Sequence, residues 1–306
     1  MSLNIIEKAH PISNDMKIFR KSFLAFVLLL LTSPLLANNV MEGIRLYKAK
    51  NYKQALNYFM KPDAQNNPAI LNYLGFMYNH GLGVEKNERT GIEWYRKAAE
   101  KGLARAQFNL GLCYEYALGT KKDICEAAKW YLKAAEQEHA AAEAKMGYLR
   151  VTGKGVKQDF KQAMQWYRRA VEHGNIHAIP ELGIMYEEGL GVKKDKTHAV
   201  QYYIMGAEKG NVRAQFLLAE AYRYGRGIKN DDERSLYWYN KAAENGSADA
   251  CDALGSVYAN EQLGQKKDRK KAGEMVEKAI EIRKQNGEGD PDARRRLRFF
   301  GVKLDD

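Results

Sequence analysis

The chain repeats itself every 36 residues, and this property narrows its possible folds more than any other. Gly75, Gly111, Gly147 and Gly183 stand at that interval, and Ala219 and Gly255 continue the series in register. Trp94, Trp130, Trp166, Tyr202 and Trp238 keep the same spacing, as do Asn87, Asp123, Asp159, Asp195 and Asp231. Several residue types holding one period across five copies describe a unit too small to bury its own apolar surface. Such a unit is stable only when stacked on its neighbours.

Each copy reads as two helices. In the first, Ala106, Leu110, Gly111, Cys113 and Tyr114 share one stripe at helical spacing. A glycine inside a helix costs about 1 kcal/mol relative to alanine. Gly75, Gly111, Gly147 and Gly183 therefore mark the close approach of a partner helix. The second helix opens on the N-cap Asp123 and turns Ala127, Trp130, Tyr131, Ala134 and Ala135 toward the core. Trp94, Trp130, Trp166 and Trp238 are the expected structural rings of this helix. Gly102, Gly174, Gly210 and Gly246 end it, and Glu138 stands where a fifth glycine is expected. Between the helices lie Gly81-Leu82-Gly83-Val84, Gly153-Lys154-Gly155-Val156, Gly189-Leu190-Gly191-Val192 and Gly225-Arg226-Gly227-Ile228. Their glycines permit a tight reversal and their aliphatic residue pins the loop to the hairpin. No strand precedes them and no Lys-Ser or Lys-Thr follows, so they do not read as phosphate loops.

The text Ala178–Leu182-Gly183–Met185-Tyr186–Gly189–Gly191-Val192–Asp195–Ala199 resembles the SEL-one-like repeat family, a relative of the tetratricopeptide repeat. So does Trp238-Tyr239–Lys241-Ala242-Ala243-Glu244–Gly246. Local departures are Ala117 and Thr120 in the second full copy and Arg150 in the third. The resemblance implies an all-α fold, a right-handed α/α solenoid (superhelix) of helix–turn–helix repeats, and an adaptor role in protein assemblies. The expected organisation is a signal segment at 1–37, a tetratricopeptide-like unit at 38–68, five repeats at 69–248, a degenerate sixth at 249–286, and a basic cap and tail at 287–306. The first unit, with Gly43, Tyr47, Ala55, Tyr58 and Phe59, has a connection four residues shorter than the others.

The same resemblance implies that first helices line a concave groove through positions −6, −3, +1 and +4 from the repeat glycine. The groove candidates are Asn72, Phe76, Asn79, Arg105, Leu112, Glu115, Tyr148, Ile184, Glu187, Arg213 and Arg223, with Asn72 and Asn79 the preferred polar contacts. Aromatic anchors among amide and charged groups suit a protein or peptide partner. Phe108 and Phe216, which recur at one repeat position, are expected to pack between hairpins instead.

The N-terminal segment sets the expected compartment. Lys17, Arg20 and Lys21 precede the apolar run Phe23–Leu31, followed by Thr32-Ser33-Pro34 and a small residue, Ala37. This order reads as a secretory signal cleaved near Ala37, with Met16 as an alternative start. The uncharged stretch Ser22–Ala37 is shorter than the roughly 20 residues of a spanning helix. The expectation is a periplasmic or secreted protein with no transmembrane anchor after cleavage. A net charge of +11 favours anionic partners. Given the export signal, nucleic acid is not expected. Arg294-Arg295-Arg296 with Arg298 is a candidate contact for an anionic envelope surface.

No catalytic motif emerges, and no cofactor or metal is expected. His173 and His177 are separated by Gly174-Asn175 at a repeat boundary and do not share a helical face. Two histidines in any case leave a zinc site short of ligands. Glu187-Glu188 and Asp231-Asp232 read as solvated or capping groups. Cys113 falls on the buried stripe and Cys125 on a solvent position, so three unpaired thiols are expected. The functional expectation is a non-enzymatic interaction scaffold. The alternative is a β-lactamase or other envelope hydrolase, like the cysteine-rich secreted relatives of these repeats. Their regular cysteine pair in each hairpin is missing from this chain.

Overall fold

The computed structural model describes residues 39–288 and 290; the signal segment and the arginines at 294–298 lie outside the described residues. All regular structure among the described residues is helical. The chain divides into two units, one ending at Lys122 and the other starting at Asp123.

In the first unit, α1 (residues 39–48) and α2 (Tyr52–Phe59) are followed by a short 3-10 turn (Ala64–Asn66), then α3 (Pro68–His80), α4 (Glu88–Glu100) and α5 (Ala104–Tyr116). Three residues join α1 to α2, against seven between α3 and α4, the shortening expected from the sequence. The core of this unit gathers Leu46, Phe59, Ile70, Leu74 and Met77, with Leu82 and Val84 of the connecting loop packed on it.

The second unit runs α6 (Ile124–Ala135), α7 (Ala140–Thr152), α8 (Phe160–Glu172), α9 (Ile179–Glu188), α10 (Lys196–Glu208), α11 (Val212–Tyr224), α12 (Asp232–Glu244), α13 (Ala248–Ala259) and α14 (Arg269–Gln285). From α7 onward these are four hairpins stacked in chain order, with each second helix also touching the next first helix. A short 3-10 turn (Ile176–Ala178) introduces α9, whose Pro180 sits in the first turn where a missing N–H costs nothing.

The repeated acids do what their spacing predicts. Asp123, Asp159, Asp195 and Asp231 each accept a backbone N–H three residues on at 2.9 Å, Asn87 does so at 3.0 Å, and Asp268 extends the series to α14. From α3 to α11 the first helices end on a left-handed residue, whereas α13 ends on Asn260 at φ −120. The left-handed residue is glycine at 81, 153, 189 and 225, but Ala117 at φ +60 in α5. A Cβ in that conformation is strained, whereas glycine adopts it freely. Ala117→Gly is therefore expected to stabilise the protein by about 0.5–1 kcal/mol after the larger chain entropy of glycine is offset. The urea midpoint should rise with an unchanged m-value; an unchanged or lower midpoint would refute it.

The repeat glycines are explained by the tyrosine that follows each tryptophan position. A Cβ on Gly75 would lie 2.5 Å from the Tyr95 ring, one on Gly147 2.7 Å from Tyr167, and one on Gly183 2.4 Å from Tyr203. Tyr95, Tyr131, Tyr167, Tyr203 and Tyr239 keep the 36-residue period and are all buried. The tryptophan beside each is less enclosed than expected: Trp130 is buried, while Trp94, Trp166 and Trp238 are half-buried. A cation one turn on covers the outer face of three of these rings, Lys97 over Trp94 at 4.2 Å, Lys133 over Trp130 at 4.0 Å and Arg169 over Trp166 at 4.8 Å. Tyrosine fills the seam and tryptophan roofs it.

Candidate functional site

The candidate groove residues separate by helical phase. In the first unit, Asn72 and Asn79 are not outward contacts but interior ones. Asn72 is buried and accepts a hydrogen bond at 2.9 Å from Asn109 on α5. Asn79 is buried against Gly91, where an added Cβ would lie 1.8 Å from its Oδ1, and its amide nitrogen reaches Cys113 Sγ at 3.7 Å. Offsets −3 and +4 from the glycine thus face the neighbouring first helix, because α3 packs on α5 as well as on α4. Offset +1 points outward: Phe76 is 36% exposed and stacks on His80 at 4.0 Å. Arg105 is exposed, whereas Leu112 and Glu115 are half-buried.

In the second unit Tyr148 and Glu187 follow the same rule, whereas Ile184, also at +1, does not. Tyr148, at +1, is 40% exposed, and its hydroxyl accepts from Lys154 Nζ at 3.1 Å. Ile184 is half-buried against the α10–α11 core. Glu187, at +4, is buried, correcting its assignment as a surface contact; it accepts from Tyr203 Oη at 2.7 Å and lies 3.5 Å from Arg226. Arg226 also pairs with Glu220 at 3.3 Å, and Glu220 accepts from Tyr239. Arg223 is half-buried and donates to Gln262. Burial pushes the Tyr203 hydroxyl well above its ordinary range, and its bond to Glu187 adds to this. These groups form an internal polar ladder across α9–α12, in which they pair with one another. Arg213 is exposed and pairs with Glu181 at 2.5 Å; burial raises the Glu181 carboxyl despite that arginine. Phe216 packs half-buried against the α12–α13 core, and Phe108 is also half-buried.

Two features lie outside the sequence-derived groove. One is an open hollow of about 800 Å³ in the first unit, between the start of α4 and the loop after α5, lined by Lys86, Glu88, Arg89, Thr120 and Lys121. Its sequence signal is Thr120, which replaces the aliphatic pin found as Val84, Val156, Val192 and Ile228. The other is Glu143, 0% exposed, hydrogen-bonded to His173 Nδ1 at 2.7 Å and ion-paired with Arg169 Nε at 2.9 Å. The equivalent residues two repeats on are Gln215 and Asn245, bonded at 3.0 Å without charge.

All three cysteines are free; Cys113 and Cys251 are buried and Cys125 is exposed. Burial pushes the Cys113 thiol up to about 11, the character of a packing residue rather than a nucleophile. Among the described residues, no cluster of three or more His, Cys, Asp or Glu could hold a metal ion, and no helix is long and apolar enough to cross a membrane.

These stacked hairpins, with Gly75, Gly147 and Gly183 each facing a buried tyrosine, define a tandem helical-repeat protein. The family model described as Sel1 repeat matches residues 70–103, 104–139, 140–175, 178–211, 212–247 and 248–281, and the chain belongs to that family. Sel1 repeats generally serve as protein–protein interaction modules and typically as non-catalytic scaffolds. Among solved structures, a Sel1 repeat protein from Oxalobacter formigenes is similar at 53% identity and TM-score 0.77, over 79% of this chain and 96% of that one. The protective antigen c5321 of uropathogenic Escherichia coli, which displays an SLR fold, is similar at 27% identity and TM-score 0.63, over 87% of this chain and 68% of that one. No match is found among curated proteins.

Proposed function

We propose that this protein is a non-enzymatic scaffold, exported to the cell envelope or secreted, that holds a protein or peptide partner on the outward face of its first helices. The observation that carries this reading is the exposure of Phe76 and Tyr148 at one position of the first helix, with Tyr116 and Tyr224 exposed at the position four residues on, in an array whose tyrosine and tryptophan series on the second helices are buried or half-buried. Each offers an apolar ring with a polar neighbour, His80 in one unit and Lys154 in the other, the composition of a binding anchor. Arg105 in the first unit and Arg213 with Glu181 in the second supply polar surroundings. Export is supported by the basic and then apolar order of residues 17–37.

Affinity capture from an envelope fraction tests the face. Phe76→Ala and Tyr148→Ala, made separately in the tagged protein, are each expected to reduce recovery of at least one partner about tenfold or more. This corresponds to the loss of an anchor contributing 1.4 kcal/mol or more. Both changes affect exposed rings, so thermal unfolding should move little. Undiminished recovery by both variants would remove the face assignment. Turnover of nitrocefin by the purified protein, abolished by no contaminant-removal step, would replace the scaffold with the hydrolase alternative.

A further inference from the structure

We infer that the hairpin-tip edge of the second unit is a docking surface for an anionic lipid bilayer. The tips are the connections from first to second helix, and each carries lysine just before the capping aspartate: Lys157, Lys193 with Lys194, Lys229, and Lys266 with Lys267. All six are exposed. Lys194 lies 3.9 Å from Glu188, and among the described residues no carboxylate pairs with the other five. The neighbouring aspartates cap their own helices, each accepting a backbone N–H, and among the described residues form no ion pair with these lysines. The lysines are left facing water.

Three of the four tips are contiguous. A Cβ on Gly155 would lie 2.5 Å from the Ile124 carbonyl oxygen, one on Gly191 2.6 Å from the Phe160 backbone, and one on Gly227 2.1 Å from the Lys196 carbonyl oxygen. These three tips therefore rest on the start of the preceding second helix, so their charges recur along one edge at roughly the 10 Å spacing of packed helices. At the opposite ends of the same hairpins, the turns expose Glu136, Glu138, Glu172, Glu208 and Glu244. Exposed Asp195, Asp232 and Glu233 offset part of the tip charge, and exposed Lys209, Arg213 and Lys241 accompany the glutamates, so the unit is more basic along the tip edge than along the opposite one. That distribution orients it on an extended anionic surface.

The chemistry of the edge selects the occupant. Reading of nucleic acid uses converging arginines and rows of stacking aromatics, and the edge offers one such group, Tyr224 with Arg223 and Arg226, rather than a row. An acidic peptide needs an apolar anchor between the charges, but the tip aliphatics Leu190, Val192 and Ile228 are packed against the core. Separate, flexible ammonium groups in a line suit the diffuse charge of lipid headgroups. Tyr224, 58% exposed beside the third tip with Arg223 and Arg226 over its ring, has the amphipathic character of an interfacial aromatic.

The test is co-sedimentation of the full chain with vesicles of phosphatidylcholine alone or containing about one-third phosphatidylglycerol. The wild type should prefer the anionic vesicles and lose that preference in high salt. The quadruple variant Lys157→Gln/Lys193→Gln/Lys194→Gln/Lys229→Gln keeps both termini, and its affinity for anionic vesicles should fall on the order of 100-fold. A control variant, Glu136→Gln/Glu172→Gln/Glu208→Gln/Glu244→Gln, should bind as well as wild type or better. Circular dichroism establishes that both remain helical. Sedimentation of the lysine variant equal to wild type would overturn the inference, as would tighter binding of the wild type to single-stranded DNA than to anionic vesicles at the same salt. Neither outcome bears on Phe76 or Tyr148, so the partner face and the lipid edge stand or fall separately.

Discussion

Truncation of Tyr203 to alanine is expected to destabilise the protein by about 3–5 kcal/mol, the usual cost of deleting a large aromatic from a close-packed interior. The ring is fully buried against Gly183, in a cluster with Ala199, Val200, Ala207, Ala214 and Leu218, so it joins one hairpin to the next. Nothing nearby can fill its space, because alanines dominate the opposing surface. Tyr203→Phe separates packing from polarity. It keeps the ring and removes the 2.7 Å bond to Glu187, which retains Arg226 as a partner, so about 1–2 kcal/mol is expected. Urea unfolding followed by circular dichroism checks both, with Trp fluorescence as a second probe because repeat arrays need not unfold in one step. A loss below about 1 kcal/mol for the alanine variant would show that the tyrosine series is not the packing centre, since a buried aromatic should cost several times that.

Why the tyrosines are less legible than the tryptophans is a matter of residue size against shape. Period and caps are local properties, and Asp123, Asp159, Asp195 and Asp231 announce helix starts without reference to the rest of the fold. The glycine at 183 likewise signals a close approach from its helix cost alone. Which ring approaches depends on the rotation of the second helix, where Trp and Tyr are adjacent and only one can face the glycine. Tryptophan has the larger apolar area, but its indole can lie flat under a lysine or arginine one turn on, and Lys97, Lys133 and Arg169 provide that cover. The same rotational sensitivity separates Phe76 and Tyr148 from Asn72, Asn79 and Glu187. One turn along the first helix decides whether a side chain meets water or the neighbouring first helix, and the plain tetratricopeptide offsets do not include that contact. Residues whose partners lie 30 or more positions away, such as Glu143 and His173, carry no local signal at all.

Glu143 is where the loss of a single charge should be felt most. It is fully buried at the repeat position held by Gln107 and Gln215, and it faces three groups: Arg169 and His173 on α8, and Glu138 beyond the imidazole at 3.9 Å from Nε2. Arg169 also donates to the Ala135 carbonyl at the end of α6, so the cluster ties α6, α7 and α8 together. Glu143→Ala leaves two cations facing a void. Both are partly exposed and can be hydrated, which places the expected destabilisation at about 2–3 kcal/mol, below the range for wholly buried pairs. Glu143→Gln imitates the neighbouring repeats and should cost less than half as much. The pH dependence distinguishes this cluster from simple packing. The hydrogen bond from His173 to Glu143 raises the imidazole above its unfolded value of about 6.5. The charged bridge therefore contributes fully below that pH and is lost as pH rises through the folded value. Wild-type stability should accordingly fall between about pH 6 and pH 8 relative to His173→Asn, which copies the Gln215–Asn245 pair and cannot titrate there. Parallel stability curves for the two proteins across that window would mean that His173 is uncharged in the folded state and that the carboxylate is held by Arg169 alone.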